Sequence, residues 1–337
     1  MHNDAVYAYH EVIRQYHGID PDQDKKDAQS PHDACFRAIR SEKRWLPGEK
    51  AIARSSRYSY LYARDVIQGR WPEGETAISS DAKSSLFYAL RVQKSPFPLG
   101  EPIIARDSQA SYLYARIVLE KRFLDGENAI LQNPQTACNY AQFVIKGRWQ
   151  ECEPLLSRSP REALCYAREV LKAPFVQAEP ALANDGLCSL LYAELVLQNR
   201  FRLGENAIIQ YPWLSVRYAK NVLKAPWGVA EPSIATDPHS SYLYARDVLR
   251  GRFLSAEPLI ASHSTVAFLY ARDLVKKRWK IAEPAILENP EILQRYQTEV
   301  PGAEHCGKYL HLIPAVDEQD LEWFLERYTQ DIQFQEY

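Results

Sequence analysis

Ten glutamates stand at one fixed spacing, and this row of carboxylates is the first feature of the chain that could do chemistry. They are Glu49, Glu75, Glu101, Glu127, Glu153, Glu179, Glu205, Glu231, Glu257 and Glu283, each 26 residues from the next. Two carboxylates work together as general acid and base only when they face each other within about 10 Å. Members of this row are separated by a whole repeat, so the spacing argues against acid–base work. A carboxylate at the start of a helix stabilises the positive end of its dipole, and that is the role expected here. Five residues before seven of them stands an arginine: Arg44, Arg70, Arg122, Arg148, Arg200, Arg252 and Arg278. Pro96, Pro174 and Pro226 take that place in the other three, so the arginine is not needed for every unit to fold. Its expected work is to satisfy the end of the preceding helix and the nearby glutamate.

Other chemistry is thin. His305, Cys306 and His311 match no metal-ligand spacing and lack a fourth partner. The six cysteines contain no C-x-x-C pair, and several fall where other repeats have Ala, Leu or Gly, so they read as reduced packing residues. There is no Gly-rich phosphate loop, no nucleophile elbow and no His-Glu metal helix. The expectation is therefore a protein that is not an enzyme, has no catalytic residues, and takes no metal or cofactor.

Two exposed features suggest binding. Basic residues four apart recur as Arg168 with Lys172, Lys220 with Lys224, Arg246 with Arg250 and Arg272 with Lys276. Repeated along a rod they would form a positive stripe able to hold a nucleic acid backbone or a nucleotide ligand. Asp247 and Asp273 beside them give the opposing reading, in which the cations are paired and serve helix ends. In the first half, Ile117, Phe143 and Leu195 occupy the column that holds Asp247 and Asp273 later, and Leu90 stands where Arg is usual. Such a patch suits a protein partner, or burial under a neighbouring unit.

The elements that must position these residues follow from the same period. Tyrosines recur every 26 residues from Tyr62 to Tyr296, and Ala follows nine of the ten. An aromatic precedes each glutamate by four, from Trp45 to Trp279. In the unit around Ser241, Tyr244, Ala245, Val248 and Leu249, small and apolar residues recur at three- and four-residue steps, which is helical periodicity. Helix A is thus predicted over Pro238 to Gly251, and a shorter helix B over Ala256 to about Ser262. Asn133, Ser159, Asp237 and Asn289, each followed by proline, are expected caps. Gly69, Gly147 and Gly251, or the three prolines, should end helix A. Small residues at Ser241 and Ala245 let neighbouring helices approach closely. The fold class is all-α: an α/α solenoid of about ten 26-residue helix-turn-helix repeats over 31–300. Distinct caps are expected at 1–30, with a helix from Asp4 to Tyr16, and at 301–337. The latter carries an acidic helix from Asp317 to Asp331 that would cover the last repeat with Leu321, Phe324 and Leu325.

The phrases Tyr242-Leu243-Tyr244-Ala245-Arg246-Asp247-Val248-Leu249 and Gly69-Arg70-Trp71-Pro72-Glu73-Gly74-Glu75 resemble tandem short-repeat proteins of tailed bacteriophages and large DNA viruses, over roughly residues 45–300. That resemblance implies a viral source and carries no activity with it. A net charge of −2 argues against polyanion binding by overall charge. With no secretion signal at the start and no run of about 18 apolar residues, a cytoplasmic protein that does not engage a membrane is expected. The leading expectation is a scaffold for a protein partner, a host factor if the source is viral. Nucleic acid or nucleotide binding is the alternative, and a structural assembly component the third reading.

Overall fold

In the computed structural model, residues 25–307 are described. The predicted helices at Asp4–Tyr16 and Asp317–Asp331 lie outside them, as does His311. Among the described residues the chain is an all-α solenoid of paired short helices, with no strand. It divides into two compact units, one ending at Leu197 and the other beginning at Gln198, and the same repeat builds each.

One repeat of the first unit shows the construction. Helix A runs as an α-helix over Pro134–Tyr140 and continues as a π-helical turn over Ala141–Ile145. A 3-10 turn at Gln150–Cys152 then leads into helix B, Glu153–Leu156. The corresponding pieces in the second unit are Pro238–Tyr244, Ala245–Leu249, Leu254–Ala256 and Glu257–Ala261. Helix A therefore has the predicted extent, but its last turn is wider than an α-helix. The carbonyl of Ala141 closes that turn, accepting the N–H of Lys146 five residues on and that of Gly147 six residues on. Ala245 does the same for Arg250 and Gly251.

The start signals are mostly as expected. Asn133, Asp237 and Asn289 accept backbone N–H groups of Thr136, Ser240 and Ile292 at 3.0, 2.7 and 3.2 Å. Asp81, Asp107 and Asp185 cap without a following proline. Ser159 makes no side-chain cap, and Pro160 alone marks that start. The stop signal differs from the prediction. The left-handed residue that ends helix A is not glycine but the residue before it: Gln68, Lys146 and Arg250 have φ of 55°, 57° and 53°. Lys94, Lys172, Lys224 and Lys276 take the same conformation. A side chain in this region costs about 1–2 kcal/mol; at Gln68, Lys146 and Arg250 the double hydrogen bond on the alanine carbonyl holds it there.

Helices this short are not stable alone, and their stability comes from stacking. All ten tyrosines of the column are fully buried. Within the units eight of the rings, Tyr62 to Tyr166 and Tyr218 to Tyr270, pack on the aromatic nine residues later, as Tyr140 does on Trp149 with centroids 5.2 Å apart and Tyr270 on Trp279 at 5.1 Å. Close approach falls where the sequence put small residues. A Cβ added at Gly126 would meet the Phe123 ring at 2.6 Å and the Ser111 side chain at 2.5 Å. The serines themselves are tied in: Ser111, Ser189 and Ser241 hydroxyls donate to the carbonyls of Ile104, Leu182 and Ile234, seven residues earlier. Helix A of one repeat is thereby fastened to helix B of the repeat before it.

Candidate functional site

The glutamate row is absorbed by the fold. In the first unit the Tyr140 hydroxyl accepts the backbone N–H of Phe123 at 2.8 Å and donates to Glu127 Oε1 at 2.9 Å. Arg122 then grips both oxygens of Glu127, Nε and Nη2 each at 2.8 Å. In the second unit Tyr270, Phe253, Glu257 and Arg252 repeat the arrangement. Burial raises the carboxyl of Glu75, but Arg70 and the Tyr88 hydroxyl outweigh it and hold the group below its ordinary range. The same burial pushes the Tyr88 hydroxyl up to about 12. Where the arginine is present these carboxylates thus link a turn, a helix and a guanidinium, which is more than the helix-start role expected of them.

The apolar column lies on the last turns of helix A in the first unit. Ile117, Phe143 and Leu195 are 51%, 40% and 43% exposed, while Leu90, one register position earlier, is half-buried. Arg116 lies over the Phe143 ring at 4.4 Å and donates to the Tyr112 hydroxyl at 2.6 Å. A spacing of 27 residues, one repeat plus one, is what brings Arg116 and Phe143 together.

The same step organises the basic residues. Lys220 reaches Asp247 at 2.8 Å, and Arg272 reaches Glu299 at 3.1 Å, both 27 residues apart. Arg168 pairs with Glu169 at 2.5 Å, Arg246 with Asp247 and Arg272 with Asp273 at 2.6 Å. The first member of each predicted basic pair is therefore matched by an acid. The second members, Lys172, Lys224, Arg250 and Lys276, are the left-handed turn residues, exposed and without an ion pair among the described residues. The two halves of the predicted stripe thus have different surroundings, one a charge-paired helix face and the other a set of cations on the turns.

One exposed row escaped the sequence reading. Leu46, Leu99, Leu124 and Val176 in the first unit, and Leu203, Val229, Leu254 and Ile281 in the second, stand at the entry to helix B and are more exposed than the Phe143 column. Their position shifts by one residue between repeats, which hid the row from a search at strict period. Beside Pro174 a groove of about 430 Å³ opens, walled by Val170, Leu171, Phe175 and Val176 with the Arg148–Glu153 pair on its rim.

Among the described residues no group of three His, Cys, Asp or Glu side chains is placed to hold a metal. Five of the six cysteines are buried, and burial pushes the thiols of Cys35 and Cys188 up to about 12. No described helix is long and apolar enough to cross a membrane. No family model, curated protein or solved structure matches the chain.

Proposed function

We propose that this chain is a binding scaffold without catalytic activity, which holds a protein partner against the exposed last turns of helix A in its first unit. The observation that carries the reading is the contrast between interior and surface. The inward residues repeat one set of contacts through both units, whereas the outward column varies: in the first unit it places Ile117, Phe143 and Leu195 among Asp65, Arg91 and Glu169, and in the second it holds Asn221, Asp247 and Asp273. Solvent gives no reason to place three large apolar side chains there, and desolvating such residues is what anchors a protein interface. A host protein as the partner, with a viral source, belongs to the same proposal.

A photo-crosslinking side chain at position 117 or 143, used in cell extract, tests it. The expected result is one discrete adduct that is lost in the Ile117→Asp, Phe143→Asp double variant and absent with the crosslinker at exposed Gln135. Equal adducts from all three positions would remove the reading. A second reading, binding of a nucleic acid backbone, is favoured by the unpaired turn cations Lys172, Lys224, Arg250 and Lys276. It places the polyanion on the turn edge, away from the charge-matched helix face. Salt-dependent retention of single-stranded oligonucleotide, weakened when the three cations of the second unit become Glu, is its expected signature.

A further inference from the structure

Seven of the ten repeats carry a guanidinium in one slot, and three carry the slot without it. Where arginine is present, it meets the glutamate side-on through two nitrogens: Arg44 to Glu49 at 2.5 and 3.1 Å, Arg148 to Glu153 at 2.7 and 3.0 Å, Arg278 to Glu283 at 2.6 and 2.8 Å. These arginines are still 35–60% exposed, so the slot opens on the surface.

In the other three repeats everything except the arginine is retained. Tyr114, Tyr192 and Tyr244 accept the backbone N–H of Phe97, Phe175 and Trp227 at 2.8, 2.8 and 2.7 Å. They donate to one oxygen of Glu101, Glu179 and Glu231 at 2.7, 3.2 and 3.0 Å. None of these three carboxylates makes an ion pair with a described residue. Pro96, Pro174 and Pro226 stand exposed in the arginine's place. The lysines just before them, Lys94, Lys172 and Lys224, make no ion pair with these glutamates.

We propose that Glu101, Glu179 and Glu231 are docking slots for arginine side chains of a protein partner. The arginines of the sister repeats serve as an internal copy of the ligand, showing which edge of the carboxylate is offered and that a planar fork fits it. A lysine presents one rotating point charge and cannot make the two parallel bonds. One exposed pair binds weakly. Glu101 and Glu179 lie in the same unit, so a partner with two suitably spaced arginines gains from engaging both. The inference rests on the reading of the chain as a protein-binding scaffold but uses the turn edge, so it can fail while crosslinking through Ile117 and Phe143 succeeds.

The test is a fluorescent peptide with two arginines joined by a flexible linker, beside its lysine and citrulline counterparts, titrated into the full chain. The variant Pro96→Arg, Pro174→Arg fills both slots in cis with the residue seven repeats already hold, and should keep the helical signal and thermal midpoint of the parent. Saturable binding of the arginine peptide, at least tenfold weaker for lysine and for citrulline and at least tenfold weaker in the filled variant, is expected. Equal binding of the lysine peptide, binding that survives filling of the slots, or no saturable binding at low salt would each overturn the proposal.

Discussion

Asp247 shows how charge on this surface is spent. It accepts from Arg246 Nε at 2.6 Å and from Lys220 Nζ at 2.8 Å, and these bonds, Arg246 first, lower its carboxyl to about 2 from an ordinary 3.8. A depressed carboxyl contributes stability that is complete above pH 3.8 and disappears as the pH falls through 2. With half-exposed partners the contribution is screened to roughly 1 kcal/mol. Asp247→Asn should therefore lose about that much at pH 7 in urea titrations and almost nothing at pH 2; an equal loss at both would show that packing, not charge, is at work. At this scale the sequence was partly legible. The five-residue step from Arg to Glu points to their pairing, and Asp247 and Asp273 beside the basic residues argue for paired cations against a free stripe. The 27-residue step was not legible, because a contact between repeats depends on how far one helix is displaced along the next, and no local pattern records that displacement.

Among the elements, helix A carries the largest difference between expectation and structure. Helical periodicity gave its length, since the apolar face is nearly the same for an α-turn and a π-turn over five residues. Hydrogen bonds to the carbonyl five or six residues back leave no side-chain signature, and the left-handed stop is held by Gln, Lys and Arg where glycine would have announced it. That cost is recoverable. Gln68→Gly removes about 1–2 kcal/mol of left-handed strain against about 0.5–1 kcal/mol of extra chain entropy, and should stabilise the first unit by roughly 0.5 kcal/mol in denaturant titrations. Destabilisation would mean that the Gln68 side chain contributes contacts beyond its backbone. Helix B makes the opposite demand at its crossing with the preceding serine. Ala178, Ala230, Ala256 and Ala282 stand where Gly126 does in its own repeat, so Phe123 and Ser111 can shift to admit the Cβ that would otherwise meet them at 2.6 and 2.5 Å, and Gly126→Ala should cost no more than about 1 kcal/mol. Gly126→Val, which adds two methyl groups against Phe123 and Ser111, should cost about 1–3 kcal/mol, and retention of the parent's thermal midpoint would refute the tight crossing.

Over the whole molecule the ten tyrosines of the column are shifted in the same direction for the same reason. Burial comes first among the causes that raise all ten hydroxyls, with the nearby glutamate adding to it in most; Tyr192, Tyr244 and Tyr296 rise to about 12. A raised folded-state value means that the protonated phenol is held by the fold: stability is complete below pH 10, the ordinary value, and is lost as the pH climbs through 12. Phenolate absorbance should thus appear in two phases, exposed tyrosines first and the column later, the second coinciding with loss of helical circular dichroism. A single smooth titration with the helices intact would contradict the buried network.

Its bonds also have a direction. In every repeat the hydroxyl that completes a turn arrives from the helix downstream, 17 residues beyond the backbone group it satisfies. A ribosome releases such a chain from the front, so the most recent repeat always emerges with an open seam. That seam closes one helix late, and growth of the fold trails growth of the chain by a fixed lag.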